Sequence, residues 1–203
     1  MQILYLVLLC IILVSMRGFN HRGFQEKLLY IPYEVKHHHA YYRIVSHIFI
    51  HQDWAHLLFN LFTLYFLGEH LEMLLKMTYG EIIGGAHWLI LFFGGGVFAT
   101  LYSYYKHQDN SNYRSLGASG AVSSIVFAMI IWNPQMELMI MFFPFPIKAY
   151  IFGPLYLLFE YYGHKKGRSG IAHDAHIGGA LFGVMYIFLI NFEQGVAFFK
   201  QFI

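Results

Sequence analysis

The stretch SLGASGAVSSIVFAMIIWNPQM, residues 115–136, decides the fold. It contains no charged residue and is long enough to cross the hydrocarbon core of a bilayer as a helix, which takes about 17 to 25 residues. Near its start, Gly117-Ala118-Ser119-Gly120 places a hydroxyl between two glycines. A hydroxyl at the mouth of a membrane-length segment suggests hydrolysis within the bilayer rather than helix packing alone.

The composition extends this membrane setting to the whole chain. Hydrophobic residues make up 58% and charged residues 12%, compared with about 45 to 50% and about 25% in soluble domains. Further uncharged or apolar runs cover residues 1–16, 54–68, 82–105, 149–159 and 175–192. The first run lacks the basic leader and small-residue cleavage site of a signal peptide, so we count it as a span.

These runs predict an all-α membrane protein, a bundle of six transmembrane helices, because lipid cannot satisfy irregular backbone. We expect residues 1–203 to form one domain. Residues 17–53 should lie in the membrane interface. Residues 133–148, which carry Pro134, Pro144 and Pro146, should form a loop resting in one leaflet.

The charged residues and the single cysteine exclude two classes of feature. A formal net charge of +2 without a dense basic block excludes nucleic acid as a partner. Cys10 is the only cysteine, so an intramolecular disulfide is excluded.

Of the 13 Lys and Arg residues, only Lys76, Lys148 and Lys200 fall on one side of the predicted bundle. This asymmetry predicts that the N-terminus lies outside the cytoplasm.

Polar residues within the predicted helices indicate chemistry, because they are expensive in a membrane. His56 and Asn60 are four residues apart and share one helix face. On the last predicted helix, His176 lies one turn before Gly179, and Gly179 and Gly183 have the spacing that lets neighbouring helices approach closely.

Together these residues predict a proteolytic site. Ser119 would be the nucleophile, and His176 would be the general base that takes its proton and returns it to the leaving amine. The Ser119 N–H, at a helix start, has no intrahelical acceptor and can face an oxyanion. His56 and Asn60 would supply the side-chain donors of the same oxyanion site.

Three motifs carry a family resemblance: His56-x-x-x-Asn60, Gly117-Ala118-Ser119-Gly120, and Ala175-His176-x-Gly178-Gly179-x-x-x-Gly183. In this order and on these helices they resemble the rhomboid family of intramembrane serine proteases. The pair Tyr42-Arg43 also resembles the aromatic-Arg pair of that family's first loop, and Glu72 resembles its structural glutamate beyond the second helix.

The resemblance implies a six-helix rhomboid bundle with a dyad of Ser119 and His176 and no metal or cofactor. It implies an endopeptidase whose partners are the lipid bilayer and transmembrane protein substrates. We expect an integral multi-pass protein of a bacterial inner (plasma) membrane. The family's topology puts the N-terminus inside, opposite to the charge asymmetry.

Two positions depart from the family pattern. Many relatives carry an aromatic ring, stacked on the catalytic histidine, at the position of Ser123. Support for His176 must therefore come from elsewhere. Relatives often have an arginine soon after the structural glutamate, whereas the nearest cation after Glu72 is Lys76. Neither change removes a reacting group, so we expect an active enzyme.

Several alternatives stay open. A histidine-rich membrane metal or haem protein could use His173 and His176 as ligands. An inactive rhomboid-like protein could hold transmembrane clients without cutting them. Asp174 could orient His176, but two residues along a helix place them on different faces. His51 could bond the first loop or touch the site.

Overall fold

The computed structural model describes residues 2–139, 145–166 and 172–202. The α-helices are α1 Ile3–Asn20, α2 Arg22–Leu28, α3 Pro32–His38, α4 Arg43–Ser46, α5 Trp54–Thr63, α6 Glu69–Tyr79, α7 Glu81–Leu89, α8 Gly95–Phe98, α9 Leu101–His107, α10 Ser119–Trp132, α11 Ala149–Lys166, α12 His173–Ile190 and α13 Phe192–Lys200. A 3₁₀ turn covers His47–Phe49, and π-helical turns at Leu64–Gly68 and Ile90–Gly94 join α5 to α6 and α7 to α8.

Three helical segments in the described part of the chain are long and apolar enough to cross a membrane: Ile3–Asn20, Glu81–His107 and His173–Ile190. A shorter apolar helix covers Ser119–Trp132. The protein is therefore a mostly helical membrane protein, but the predicted count of six spans is not confirmed. The predicted runs 54–68 and 149–159 do form helical structure, which continues in each case into charged residues beyond the run, such as Glu72 on α6 and Glu160 on α11.

Helix α10 is the central element of the bundle. Its residues from Gly120 to Ile131 are buried on every side, as expected of a helix that is apolar all round. Helix α12 packs along it through glycines: Gly179 lies against the backbone of Gly120, and Gly183 against the backbone of Ser124. This close packing brings the N-terminal ends of α10 and α12 together.

Helix α1 is fastened to α6 through Glu72, which is fully buried. Its carboxylate accepts the N–H of Ile3 at 2.7 Å and the N–H of Leu4 at 3.0 Å. These are two of the first-turn N–H groups that a helix cannot satisfy itself. Lys76, one turn along α6, lies 2.9 Å from the same carboxylate. The nearest cation named from the sequence is thus its ion-pair partner.

The segment between α1 and α5, predicted to lie in the interface, folds into short helices. Arg43 holds it together, because its Nη1 donates to the carbonyls of Glu26 at 3.0 Å and Leu29 at 2.7 Å. The Tyr42 ring lies 5.4 Å from the Arg43 guanidinium carbon. The Tyr42-Arg43 pair therefore has a structural role in this segment.

The proline-containing segment ends α10 as the sequence predicts. The helix stops at Trp132, and Glu137–Leu138 (β1) pairs antiparallel with Ile147–Lys148 (β2). Pro134 and Pro146 lie outside any helix, and Pro144 is outside the described residues. The prolines thus separate α10 from α11, as expected of residues that lack an N–H.

Candidate active site

Ser119 is the first residue of α10, and the loop before it is held by its backbone. The Gly117 N–H donates to the His47 carbonyl at 2.9 Å, and the Ala118 N–H donates to His51 Nε2 at 3.3 Å. As the first helical residue, Ser119 has an N–H without an intrahelical acceptor. Among the described residues no other acceptor is recorded for it. This N–H is available to a developing oxyanion.

Gly117 and His56 fit against each other directly before Ser119. Gly117 has φ +115°, and a Cβ there would lie 2.5 Å from His56 Cε1 and 2.8 Å from His56 Nε2. Only glycine therefore fits, for both conformational and steric reasons. Asp53 caps α5 by accepting the His56 N–H at 2.8 Å, which fixes the start of the helix that carries His56.

Asn60 lies on the same face as His56 but is engaged within its own helix. Its Nδ2 donates to the His56 carbonyl at 2.9 Å, and the residue is 5% exposed. A side-chain amide carries two N–H donors, so one remains for another acceptor. The structure thus brings His56, Asn60 and the Ser119 loop to one end of the bundle.

His176 lies in the first turn of α12, beside the start of α10. A Cβ on Gly120 would lie 3.3 Å from the carbonyl oxygen of Ala175, the residue before His176. The side chain of His176 is 15% exposed. Between Ser119 and His176 the described part of the structure records no hydrogen bond. The two residues occupy neighbouring helix ends without a direct bond in this resting geometry.

Two residues of α11 face His176, and the sequence did not predict either. Glu160 Oε1 lies 3.0 Å from His176 Nδ1. The Tyr156 ring lies nearly parallel to the His176 ring, with centroids 6.4 Å apart and an interplanar angle of 27°. A carboxylate within an apolar helix is itself a signal of function in a membrane protein, and it could have identified Glu160.

Ser123 holds this aromatic ring in place. Its Oγ lies 3.0 Å from the Tyr156 hydroxyl, within hydrogen-bond distance. The family pattern has an aromatic ring at this position of α10. Here the ring comes from α11, and the small polar Ser123 anchors its hydroxyl.

His51 connects the loop before Ser119 to α1. Its Nδ1 lies 2.9 Å from Ser15 Oγ, and Ser15 Oγ donates to the Phe49 carbonyl at 2.9 Å. Because Nε2 accepts the Ala118 N–H, the neutral tautomer with hydrogen on Nδ1 satisfies all three bonds. Burial and then the neighbouring His56 lower the pKa of His51 to about 3. The His51 ring therefore contacts the loop before Ser119 as well as α1, and it stays neutral.

His47 is a second buried histidine beside the loop before Ser119, and it lies in the 3₁₀ turn His47–Phe49. Its two ring nitrogens have no hydrogen-bond partner among the described residues. Burial lowers its pKa to about 4. An uncharged ring avoids the large penalty of a buried charge.

A set of possible metal ligands includes His176. Donor atoms of Glu160, His173 and His176 lie within 4.8 Å of one another. Glu160 Oε2 is 2.6 Å from His173 Nδ1. Elsewhere, a separate cavity of about 370 Å³ is lined by Gln2, Met73, Lys76, Met77 and Glu81 and shares no residue with this site.

Comparison with known proteins gives several matches. A model of the Rhomboid domain matches residues 38–191. RHOMBOID-like protein 12, mitochondrial, of Arabidopsis thaliana is 28% identical over 152 residues, 68% of this chain and 43% of that protein. Presenilin-associated rhomboid-like protein, mitochondrial, of Bos taurus is 30% identical over 133 residues, 64% and 35% of the two chains. Rhomboid-like protein 11, chloroplastic, of Arabidopsis thaliana is 29% identical over 189 residues, 85% and 59%. The chain spans less than two thirds of the length of each of these relatives.

Proposed function

Because this chain belongs to the rhomboid family, we propose that it is a serine endopeptidase that cleaves transmembrane segments of other membrane proteins. The observation that carries the proposal is the packing of Gly120 against Ala175 and Gly179. It puts a hydroxyl-bearing helix start next to a histidine-bearing one in a membrane protein. Both reacting groups that the family's dyad requires are present, at Ser119 and His176.

In the proposed reaction, Ser119 Oγ forms a bond to the scissile carbonyl carbon while its proton passes to His176. The C–N bond then breaks, and the proton goes to the leaving amine. Water, deprotonated by the same histidine, releases the acyl group. Catalytic hydrogen bonds are often long in resting enzymes, so a short approach of Ser119 to His176 on substrate binding is expected.

The proposed oxyanion site uses three donors. They are the Ser119 N–H, the His56 ring beside Gly117 and the second amide hydrogen of Asn60. One such donor is worth about 2.7 to 4 kcal/mol of transition-state stabilisation in other serine proteases. The position of His56 against Gly117 supports its inclusion.

The test compares wild type, Ser119→Ala and Ser111→Ala, purified in detergent, on a single-pass membrane substrate. Ser111 is an exposed loop serine and serves as the matched control. We expect wild type and Ser111→Ala to cleave the substrate and to react with a fluorophosphonate, and Ser119→Ala to do neither. Equal cleavage by Ser119→Ala would refute the proposal. Absence of cleavage and labelling in wild type would favour the inactive client-binding alternative.

A second candidate is a membrane metalloprotein, and one observation favours it: the three convergent donors of Glu160, His173 and His176. Two ligands on one tetrahedral zinc, each about 2.0 to 2.1 Å from it, lie about 3.3 Å apart. The separation of 2.6 Å between Glu160 and His173 is instead that of a strong hydrogen bond. Dialysis against a chelator distinguishes the two candidates, because the serine protease keeps its activity.

The location is an integral membrane, as the spanning helices indicate. We also propose that this membrane is a bacterial inner membrane, that the N-terminus lies inside as in the family's topology, and that the substrates are transmembrane proteins. The relatives carry mitochondrial and chloroplastic names, which describe those proteins. Fractionation of the producing cell tests the compartment.

A further inference from the structure

Glu160 is a buried carboxylate in a helix that is otherwise largely apolar. It is 3% exposed, and an ionised carboxylate in such a place is costly unless it is paired. Each of its oxygens faces a histidine of α12: Oε2 lies 2.6 Å from His173 Nδ1, and Oε1 lies 3.0 Å from His176 Nδ1. The carboxylate therefore bridges two imidazole rings one helical turn apart.

The two contacts differ in quality. The His173 contact is a short hydrogen bond. At His176 the distance of 3.0 Å is that of an ion pair, and no hydrogen bond is recorded for Nδ1 among the described residues. A carboxylate attracts an imidazolium more strongly than a neutral imidazole. The contact should therefore tighten when His176 takes up a proton.

The contact involves Nδ1 of His176, and this bears on what the other nitrogen can do. A neutral imidazole carries one hydrogen, and a carboxylate 3.0 Å from Nδ1 favours the tautomer that places the hydrogen there. In that tautomer Nε2 keeps its lone pair. That lone pair is what a general base offers to a serine hydroxyl.

We propose that Glu160 is a positioning residue for His176, with His173 anchoring its second oxygen. The carboxylate holds the tautomer in which Nε2 can accept the Ser119 proton, and it stabilises the imidazolium formed by that transfer. Tyr156 restrains the ring from the same helix. This inference rests on the proposed serine protease function and extends its dyad by a carboxylate contributed by α11.

The experiment compares wild type with Glu160→Gln, Glu160→Asp and the control Glu193→Gln, an exposed carboxylate on α13. Cleavage of the single-pass substrate is measured across pH to give kcat and KM. Rates are divided by the fraction of protein whose Ser119 reacts with a fluorophosphonate at saturation. This division removes any loss of folded protein from the comparison.

We expect Glu160→Gln to lower kcat by about tenfold or more, with about 10⁴-fold as the upper limit set by the orienting carboxylate of soluble serine proteases. KM should stay within about twofold, because Glu160 acts through His176 rather than on the substrate. Glu160→Asp keeps the charge but moves it away from Nδ1 by about the length of one methylene group, so it should lower kcat less than Glu160→Gln does.

Few of the described residues lie beside His176. They are Glu160 and Tyr156 from α11, His173 from its own helix and His56 from α5. Glu160 is the only carboxylate in this described set, so a change in kcat on its replacement can be assigned to that group.

An unchanged normalised kcat in Glu160→Gln would overturn the inference and leave the carboxylate as a structural link between α11 and α12. If wild type itself neither cleaves nor labels, the proposed function fails first. If Glu160→Gln gives too little folded protein, Glu160→Asp decides: a lowered normalised kcat at unchanged KM supports the inference, and an unchanged kcat contradicts it.

Discussion

Gly179 lies directly against the carbonyl of Gly120, so that no Cβ fits between α10 and α12 at this level. Ser119 precedes Gly120, and His176 lies one turn before Gly179. The separation of the two backbones at this contact therefore sets the separation of the proposed nucleophile and base. One turn further along, Gly183 repeats the contact with Ser124.

Gly179→Ala should push these helix ends apart and reduce cleavage about 100-fold, the effect of a misplacement of roughly 1 Å. Cleavage per folded molecule is the measurement, with thermal unfolding to follow stability. The control is Gly23→Ala, where no atom lies within 4 Å of the added Cβ. Full activity in Gly179→Ala would show that the helix contact does not control the site.

The sequence predicts features that depend on local pattern. The helix start at Ser119 and the helix end before Pro134 follow from an uncharged run bounded by glycines and a proline. Glycines four residues apart on α12 predict that a neighbouring helix packs closely there, although they do not say which one. Each of these features is encoded within one short segment, so periodicity and turn residues are sufficient to find it.

Features that join distant segments could not be predicted. Glu160 and His176 meet only because α11 packs beside α12, and the sequence contains no spacing rule for that contact. Similarly, the sequence at Ser123 shows only that an aromatic ring is missing there. Its bond to Tyr156 shows that another helix supplies an aromatic ring beside His176. The number of membrane spans also depends on packing, because charged residues such as Glu72 are satisfied by partners distant in sequence.

Replacement of Glu72 by Gln should destabilise the fold without touching the site. The change removes the charge that faces Lys76 and leaves a donor against the N–H groups of Ile3 and Leu4. Breaking a buried ion pair costs about 3 to 5 kcal/mol, and we expect about 3 kcal/mol because Lys76 also reaches Glu81. Denaturant unfolding in detergent measures the loss.

Glu69→Gln is the matched control on the same helix. Glu69 accepts a hydrogen bond from Tyr5 at an exposed position, and such contacts contribute at most about 1 kcal/mol. Similar unfolding free energies for Glu72→Gln and wild type would mean that the start of α1 does not depend on this carboxylate.

The buried histidines should make the fold sensitive to acid. Burial lowers the pKa of His51 to about 3 and of His47 to about 4, whereas an unfolded histidine has a value of about 6.5. Between these values the unfolded chain binds protons that the native protein does not bind. The free energy of unfolding should therefore fall as pH drops below about 6.5, by up to about 1.4 kcal/mol per unit for each histidine.

His51→Gln should reduce this slope by about one proton, whatever it does to stability at neutral pH. Unfolding curves at several values between pH 4 and pH 7, a range chosen to span roughly the window above, give the slope. The exposed His21, replaced in the same way, is the control. A slope that His51→Gln leaves unchanged would count against a neutral buried ring at this position.

Asp174→Asn should leave most of the activity, within about threefold of wild type. The Asp174 carboxylate lies two residues from His176, on another face of α12. Its charge acts instead on Tyr113, in the segment before Ser119. The pKa of Tyr113 is raised mainly by burial and next by the charge of Asp174. The carboxylate recorded beside His176 is that of Glu160. Loss of a true orienting carboxylate lowers kcat about 10⁴-fold. A loss of that size in Asp174→Asn, with Glu160→Gln fully active, would transfer the orienting role from α11 to α12 itself.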